Sequence, residues 1–429
     1  MKVTLISTHA KKGGAGLAAF RLMKSLRDLG LDARMLAQQG SRDEGRVWIT
    51  SSSAGKAGIR ILRFLAERLT FLFREKSPEL RFLFSPANFG ERIHRHPLVR
   101  DADVLHLHWT QGAFLSLRSL RSLLATGKPV VWTLHDMWAF TGGCHYALEC
   151  RGFEKECGMC PYVKKPGRND LSHRIWKRKK RIFPEAGLHL VCPSGWLEAE
   201  VRASALLGGF PVTRIHNPVD ETRFFPVRRE EACAYLGLDP QKRYVLFGAA
   251  TVKNMLKGLD WFREAVELLH RSGDWEEGVE ILLLGKSRED LGTLFPCPVN
   301  ALPYSGSQET IRACYNASSL FAIPSLADNL PNTILEAMLC GTPVVGFDSG
   351  GIREMIDHRE SGYLARRKSA HDLADGLNWV LRHPEPAALS GTVRRRVLEK
   401  YPAGVAVSEY IALYRRLATG SNRGKEVKS

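Results

Sequence analysis

At 429 residues the chain is too long for one ordinary hydrophobic core, so two or three domains are expected. Hydrophobic residues make up 44% and charged ones 25%, a balance that excludes a disordered, fibrous or collagen-like chain. The formal net charge of +17, from 62 Lys and Arg against 45 Asp and Glu, favours partners that carry negative charge. Those partners would be nucleic acid, an anionic membrane face or phosphorylated small molecules. No run of eighteen apolar residues is present, which excludes a membrane-spanning helix. The short apolar run in "MKVTLIS" reads as a strand rather than a leader. Nine cysteines without an export signal point to a reducing compartment, so a cytoplasmic location is expected.

"KVTLIS" predicts a first strand, and "GLAAFRLMKSLRDLG" a helix with Ala15, Ala18, Leu22, Leu26 and Leu29 on one face. The turn between them holds Gly13, Gly14 and Gly16 but is not G-x-G-x-x-G. "KAGIRILRFLAERLTFLFREK" predicts a basic amphipathic helix, with Leu62, Leu65, Leu69 and Leu72 on one face and Arg60, Arg63 and Arg74 off it. Such a helix more commonly packs its leucines on its own domain; the alternative is that it lies on an anionic membrane face. In "DVLHLHW", His106 and His108 alternate along a strand and so point to the same side. "WTLHDMWAFTGGCHY" sets His135 and Asp136 at the end of another strand.

The most unusual stretch is "CHYALECRGFEKECGMCP". Cys144, Cys150, Cys157 and Cys160 could ligate one tetrahedral structural zinc, although their spacing is not that of a common zinc module. Disulfides and free thiols remain open. "KKPGRNDLSHRIWKRKKRIF" then concentrates bases, "CPSGWL" offers Ser194 as a helix cap, and Asn217-Pro218 marks the edge of a linker.

The strand–helix alternation restarts with "YVLFGA", "VEILLLG", "LFAIPS" and "PVVGF". The α/β pattern predicts two doubly wound, Rossmann-like domains, residues 1–222 and 223–400, with 401–429 forming a final helix and a polar tail. In "VLFGAATVKNMLKGLDWF", a strand and a loop lead to Lys257-Gly258 at the start of a helix. In "SLADNLPNTILEAMLCGTPVVGF", Pro331 suits the start of a helix and Gly341 its end. Asp328 then lies in the preceding loop with Asn329 and Leu330, and Glu336 about two turns into the helix. A carboxylate accepts hydrogen bonds from a vicinal diol, and a helix N-terminus favours phosphate. Two acids flanking such a start suit a nucleotide sugar. "FDSGGIREMI" adds Gly350 and Gly351, which permit close approach of a ligand to backbone, with Glu354 behind them.

The Asp328–Glu336 stretch resembles the E-x7-E region of family 4 glycosyltransferases, retaining enzymes of the GT-B fold, in which two Rossmann-like domains face each other across a cleft. The resemblance implies that Asp328 contacts the transferred sugar and Glu336 the nucleotide ribose. It also implies that Lys257 holds the diphosphate, that His135 faces the donor sugar, and that Gly13 and Gly14 lie near diphosphate and acceptor. Two departures stand out: Asp328 replaces the usual Glu, and Ala249 follows Gly248 where the family has an Arg, with Lys253 as a substitute. A similar cysteine-rich insert follows T-L-H-D in polysaccharide-assembly members. The implied reaction moves a sugar from a nucleoside diphosphate sugar to a glycan hydroxyl, the glycan being lipid-linked, and needs no metal for catalysis. An epimerase or hydrolase on the same fold, or a non-catalytic membrane-surface protein, is the alternative. No zinc-finger, RRM or helix-turn-helix signature supports nucleic acid as a partner.

Overall fold

A computed structural model describes residues 1–43, 45–183, 187–251, 254–286, 292–303 and 305–426. Lys253 lies outside the described residues. The chain divides into two compact units, Met1–Pro218 with Gly404–Ser429, and Val219–Ala403.

The first unit is built on β1 (Lys2–His9), β2 (Asp32–Gln39), β3 (Val47–Ile49), β4 (Val104–Leu107), β5 (Val130–Thr133), β6 (Leu188–Cys192) and β7 (Val212–Arg214). Among the described residues these form one sheet in the order β3-β2-β1-β4-β5-β6-β7, with every pairing parallel. Leu5 pairs with Met35 on one side and His106 on the other. Near-continuous apolar runs such as "VVWT" become central strands because helices cover both faces of a parallel sheet. The Gly13–Asp28 helix buries Ala18, Ala19, Leu22, Met23 and Leu26. Leu29, expected on that face, is 59% exposed because the helix ends at Asp28 and the helical period no longer carries it inward. The Ala403–Glu426 helix belongs to this unit and packs Ala406, Val407, Tyr410, Leu413 and Tyr414 into the core with Val3, Leu5 and Val104.

The second unit holds β8 (Arg243–Thr251), β9 (Val279–Lys286), β10 (Val299–Leu302), β11 (Leu320–Ile323), β12 (Val344–Phe347) and β13 (Gly362–Ala365). Their order is β10-β9-β8-β11-β12-β13, again parallel. Counted from its own first strand, the first sheet runs 3-2-1-4-5-6-7 and the second 3-2-1-4-5-6, so connections wind one way before the first strand and the other way after it. A crevice opens at the carboxyl ends of the two strands where winding reverses. Those strands are β1 and β4 in one unit, β8 and β11 in the other. Strands β2, β3, β10 and β13 offer no extended apolar run in the sequence: they read "DARMLAQQ", "VWI", "VNAL" and "GYLA".

One expectation is reversed. On the Ala54–Leu72 helix the buried residues are Glu67 and Phe71, while Leu62, Leu65, Leu69 and Leu72 are exposed.

Candidate active site

The switch point of the second unit gathers residues from three loops. After β8, Met255–Lys257 forms a 3-10 turn, Gly258 takes φ +74°, and the Leu259–Ser272 helix begins. Asn254 stabilises that turn by accepting the Leu256 N–H through its side chain. After β11 the chain passes through Asp328 to Pro331, and the Asn332–Leu339 helix starts immediately afterwards. The two loops are stitched together by the Leu326 N–H donating to the Leu256 carbonyl at 2.8 Å. At the tip, Lys257 Nζ meets Asp328 Oδ2 at 2.6 Å, with the Asp328 side chain 13% exposed and that of Lys257 32%. The third loop follows β12. Gly351 N–H donates to the Asp328 carbonyl at 3.0 Å, and Ser349 Oγ donates to the Ser325 carbonyl at 2.6 Å. A side chain at Gly350 would place its Cβ 2.1 Å from the Asp328 carbonyl oxygen, and φ there is +54°. Only glycine fits both conditions. Arg367, after β13, donates to the Leu326 carbonyl at 2.8 Å and braces the same loop.

The structure thus brings Lys257, Asp328, Gly350 and Gly351 together at the carboxyl edge of the sheet. Asn329 and Leu330 continue the loop inward, 3% and 5% exposed, with Leu330 in the core. Glu336 sits on the following helix and is buried, 4% exposed.

The switch point of the first unit is lined differently. Gly13 takes φ +68° at the start of its helix, and Gly13 and Gly14 are exposed, with open space where a Cβ would stand. Thr8 Oγ1 donates to the Gln111 carbonyl at 2.7 Å, tying the end of β1 to the loop after β4. His135, after β5, lies 3.0 Å from His108 Nδ1 through its Nε2. His106 stands between Tyr414 OH at 2.7 Å and Thr133 Oγ1 at 2.8 Å. Burial holds His135 down to about 4 and His106 to about 3, and it also depresses His108 beside them. All three are neutral imidazoles near pH 7: hydrogen-bonding groups rather than cations.

Asp136 fixes the His135 loop. Burial works to raise its pKa, but the facing His145 and bonds from His145 Nδ1 (2.6 Å), Trp138 N–H (2.8 Å) and Trp109 Nε1 (2.9 Å) hold it below the ordinary carboxylate value. His145 Nε2 in turn lies 2.9 Å from Ser85 Oγ. This Ser85–His145–Asp136 chain has the order of a hydrolytic triad, yet Ser85 and His145 are 3% and 6% exposed. A nucleophile must reach its substrate, so the chain serves to position the loop. Nothing short-range in the sequence could have paired Ser85 with His145, or Arg367 with Leu326; neither belongs to a motif.

The family model for Glycosyltransferase Family 4 matches residues 12–223, and that for Glycosyl transferases group 1 matches residues 242–383. The chain belongs to the family 4 glycosyltransferases. Among its relatives is an uncharacterized glycosyltransferase of Haemophilus influenzae, 26% identical over 161 residues, which are 36% of this chain and 44% of that protein. The match thus spans less than half of that relative's length. The putative colanic acid biosynthesis glycosyl transferase WcaC of Escherichia coli is 24% identical over 351 residues, covering 77% of this chain and 80% of its own. Solved structures share the GT-B fold. WaaG, a glycosyltransferase involved in lipopolysaccharide biosynthesis, superposes with a TM-score of 0.62 at 13% identity, covering 96% of this chain and 99% of its own. Anabaena HepE in complex with UDP-glucose has a TM-score of 0.62 at 15% identity, with the same coverage.

In this family 4 glycosyltransferase the cysteine-rich stretch folds inside the first unit. Cys144, Cys157 and Cys160 are buried, Cys150 half-buried, and all four are free thiols. Gly142 N–H points at Cys157 Sγ (3.1 Å) and Gly152 N–H at Cys150 Sγ (3.4 Å). Burial pushes Cys157 up to about 12 and Cys160 to about 11, so both are neutral thiols at pH 7, packed like small apolar side chains. Among the described residues no group of three or more His, Cys, Asp or Glu is placed to hold a metal ion, although Cys144, Cys150, Cys157 and Cys160 lie close enough to act on one another electrostatically. Beside the thiols, fully buried Lys179 donates to the carbonyls of Trp138 and Thr141, its ammonium 3.6 Å from the centre of the Trp138 ring. No helix among the described residues is long and apolar enough to cross a membrane.

Proposed function

We propose that the protein transfers a sugar from a nucleoside diphosphate sugar to a hydroxyl of a lipid-linked glycan, with retention at the anomeric carbon, in cell-surface polysaccharide assembly. The observation that carries the reading is the contact between Lys257 and Asp328 at the ends of β8 and β11, where sheets wound in this order bind nucleotides. The UDP-glucose held by HepE supports the donor class, and the colanic acid relative supports the setting.

An ammonium has three donor protons; Asp328 takes one, which leaves two for diphosphate oxygens. With a donor seated there, Lys257 and the N–H groups opening the Leu259–Ser272 and Asn332–Leu339 helices stabilise charge developing on the leaving diphosphate. Lys253 supplies a second cation. No metal is required for this role. Asp328 and the Asn329–Leu330 backbone orient the sugar, Glu336 takes the ribose hydroxyls, and Gly350 and Gly351 let the ligand approach the backbone. His135, held neutral, offers a hydrogen bond to a sugar hydroxyl without adding charge, and the open Gly13–Gly14 turn serves the acceptor side. In the chemical step the bond from the anomeric carbon to the diphosphate oxygen breaks while a bond to the acceptor oxygen forms on the same face. The acceptor proton passes to the departing diphosphate, so no protein nucleophile is needed.

Thermal unfolding in the presence of UDP-, GDP- and ADP-sugars tests the donor reading. A ligand at about a hundred times its Kd stabilises the folded state by about 2.7 kcal/mol, a readily measured rise in melting temperature. The donor found this way is then used in a transfer assay, and proton NMR of the product reports its anomeric configuration. No shift with any nucleotide sugar would overturn the proposal, and an inverted product would overturn the retaining mechanism.

A further inference from the structure

His135 follows β5 and is half-buried, and the two nitrogens of its ring meet different surroundings. Nε2 lies 3.0 Å from Nδ1 of His108, just past the neighbouring strand β4. Nδ1 has no hydrogen bond to any described residue. Asp136, the adjacent carboxylate, is spent elsewhere: Oδ2 accepts from His145 Nδ1 and Trp109 Nε1, and Oδ1 from the Trp138 N–H. Nδ1 is therefore the nitrogen that His135 has left for a ligand.

Whether that nitrogen offers a proton or a lone pair is decided at His108. Burial keeps both rings neutral near pH 7, and between two neutral imidazoles one nitrogen donates and the other accepts. His108 is 2% exposed, and its second nitrogen, Nε2, is buried with no hydrogen-bond partner. The ring of His106 is 4.2 Å away, centre to centre, but its nitrogens are taken by Tyr414 OH and Thr133 Oγ1. If His135 donated through Nε2, the His108 proton would have to sit on its own Nε2. It would then be a buried N–H with nothing to accept it. Buried N–H groups without an acceptor are rarer in folded proteins than acceptors left short of a donor, and each costs its full desolvation. The smaller penalty puts the His108 proton on Nδ1, donating to His135 Nε2. The His135 proton must then be on Nδ1.

We propose that His108 is a positioning residue that locks His135 in the tautomer protonated at Nδ1, so that His135 meets the substrate as a hydrogen-bond donor. The partner it selects is an oxygen with a free lone pair, a sugar hydroxyl or carboxylate oxygen, and it turns away an ammonium group. A general base would need a bare nitrogen at that place, so the same arrangement removes His135 from proton abstraction. The ligand half of this inference rests on the transferase reading. The tautomer half rests on the two rings alone and is measured without substrate.

The test is long-range proton–nitrogen NMR of the full-length protein, isotopically labelled at histidine nitrogen and free of ligand, near neutral pH. The shifts of the two ring nitrogens report which one is protonated, and His135→Gln identifies the His135 signals by their loss. The expected spectrum shows His135 protonated at Nδ1 and bare at Nε2, and His108 likewise. A proton on His135 Nε2, or an equal mixture of the two forms, overturns the proposal. The parental spectrum decides this whether or not the variants fold. Two variants then test the consequence, with whichever of the UDP-, GDP- and ADP-sugars is turned over. His108→Leu removes the donor and should lower kcat/KM about 10-fold. His108→Asn keeps an N–H where Nδ1 stood and should recover most of that loss. Parental kcat/KM in His108→Leu overturns the positioning role. No turnover with any of these sugars overturns the transferase reading and the ligand half with it, while the spectrum is read separately.

Discussion

Gly350→Ala puts a methyl group 2.1 Å from the Asp328 carbonyl oxygen in backbone at φ +54°. The left-handed conformation costs alanine about 1–2 kcal/mol. A carbon and a carbonyl oxygen come no closer than about 3.3 Å in ordinary contacts, so the Asp328 loop must retreat by roughly 1.2 Å. That movement also stretches the Gly351 N–H bond to Asp328, now 3.0 Å, at a further cost of about 1 kcal/mol. The sum, about 2–3 kcal/mol, should lower melting of the second unit by roughly 5–10 °C. Displacing Asp328 by about 1 Å should also cut kcat/KM for sugar transfer by about 10²-fold. Gly391→Ala is the control: it lies within the Pro386–Lys400 helix with nothing within 4 Å of its would-be Cβ, and it should stabilise by about 0.5–1 kcal/mol. Melting curves and initial transfer rates on both variants decide the matter. Unchanged melting in Gly350→Ala would refute the close approach, and lowered melting with full activity would remove Asp328 from the reaction.

Lys257→Met should lower kcat/KM by about 10²–10³-fold and shrink the melting shift given by donor, because Lys257 would no longer stabilise the leaving diphosphate; parental kinetics would exclude Lys257 from the site. Acid should destabilise the fold through His106 and His135. Their folded values of about 3 and about 4 lie below the ordinary 6.5, so the unfolded chain binds protons first as pH falls. Their contribution is complete above about pH 6.5 and declines towards pH 4, by a few kcal/mol at most. Urea titrations across that window check it, and a flat profile would count against the buried, neutral histidines. For the cysteines, the half-buried Cys150 should be alkylated in the native protein while Cys144, Cys157 and Cys160 wait for unfolding. About one bound zinc per purified chain would contradict this.

The alternation of apolar runs with helical periods, and the Asp328…Glu336 spacing around Pro331, were legible from the sequence because both are local properties of the chain. The repeat of four leucines likewise declared an amphipathic helix. Whether its apolar side was covered depended on what lay opposite. Glu67 and Phe71, both local to the helix, find their partners Ala87, Asn88, Phe89 and Phe84 only through tertiary contacts. The Lys257–Asp328 pair spans 71 residues and exists because β8 lies beside β11, an order set by how two crossovers pack. Similarly, Asp136 meets His145 and Trp109, and His145 meets Ser85, because loops from distant segments converge beyond the sheet edge. Periodicity along one segment records which side chains share a face. Which faces and loop tips meet is settled by close packing of the whole chain, and that is where the charges of the candidate site acquire their partners.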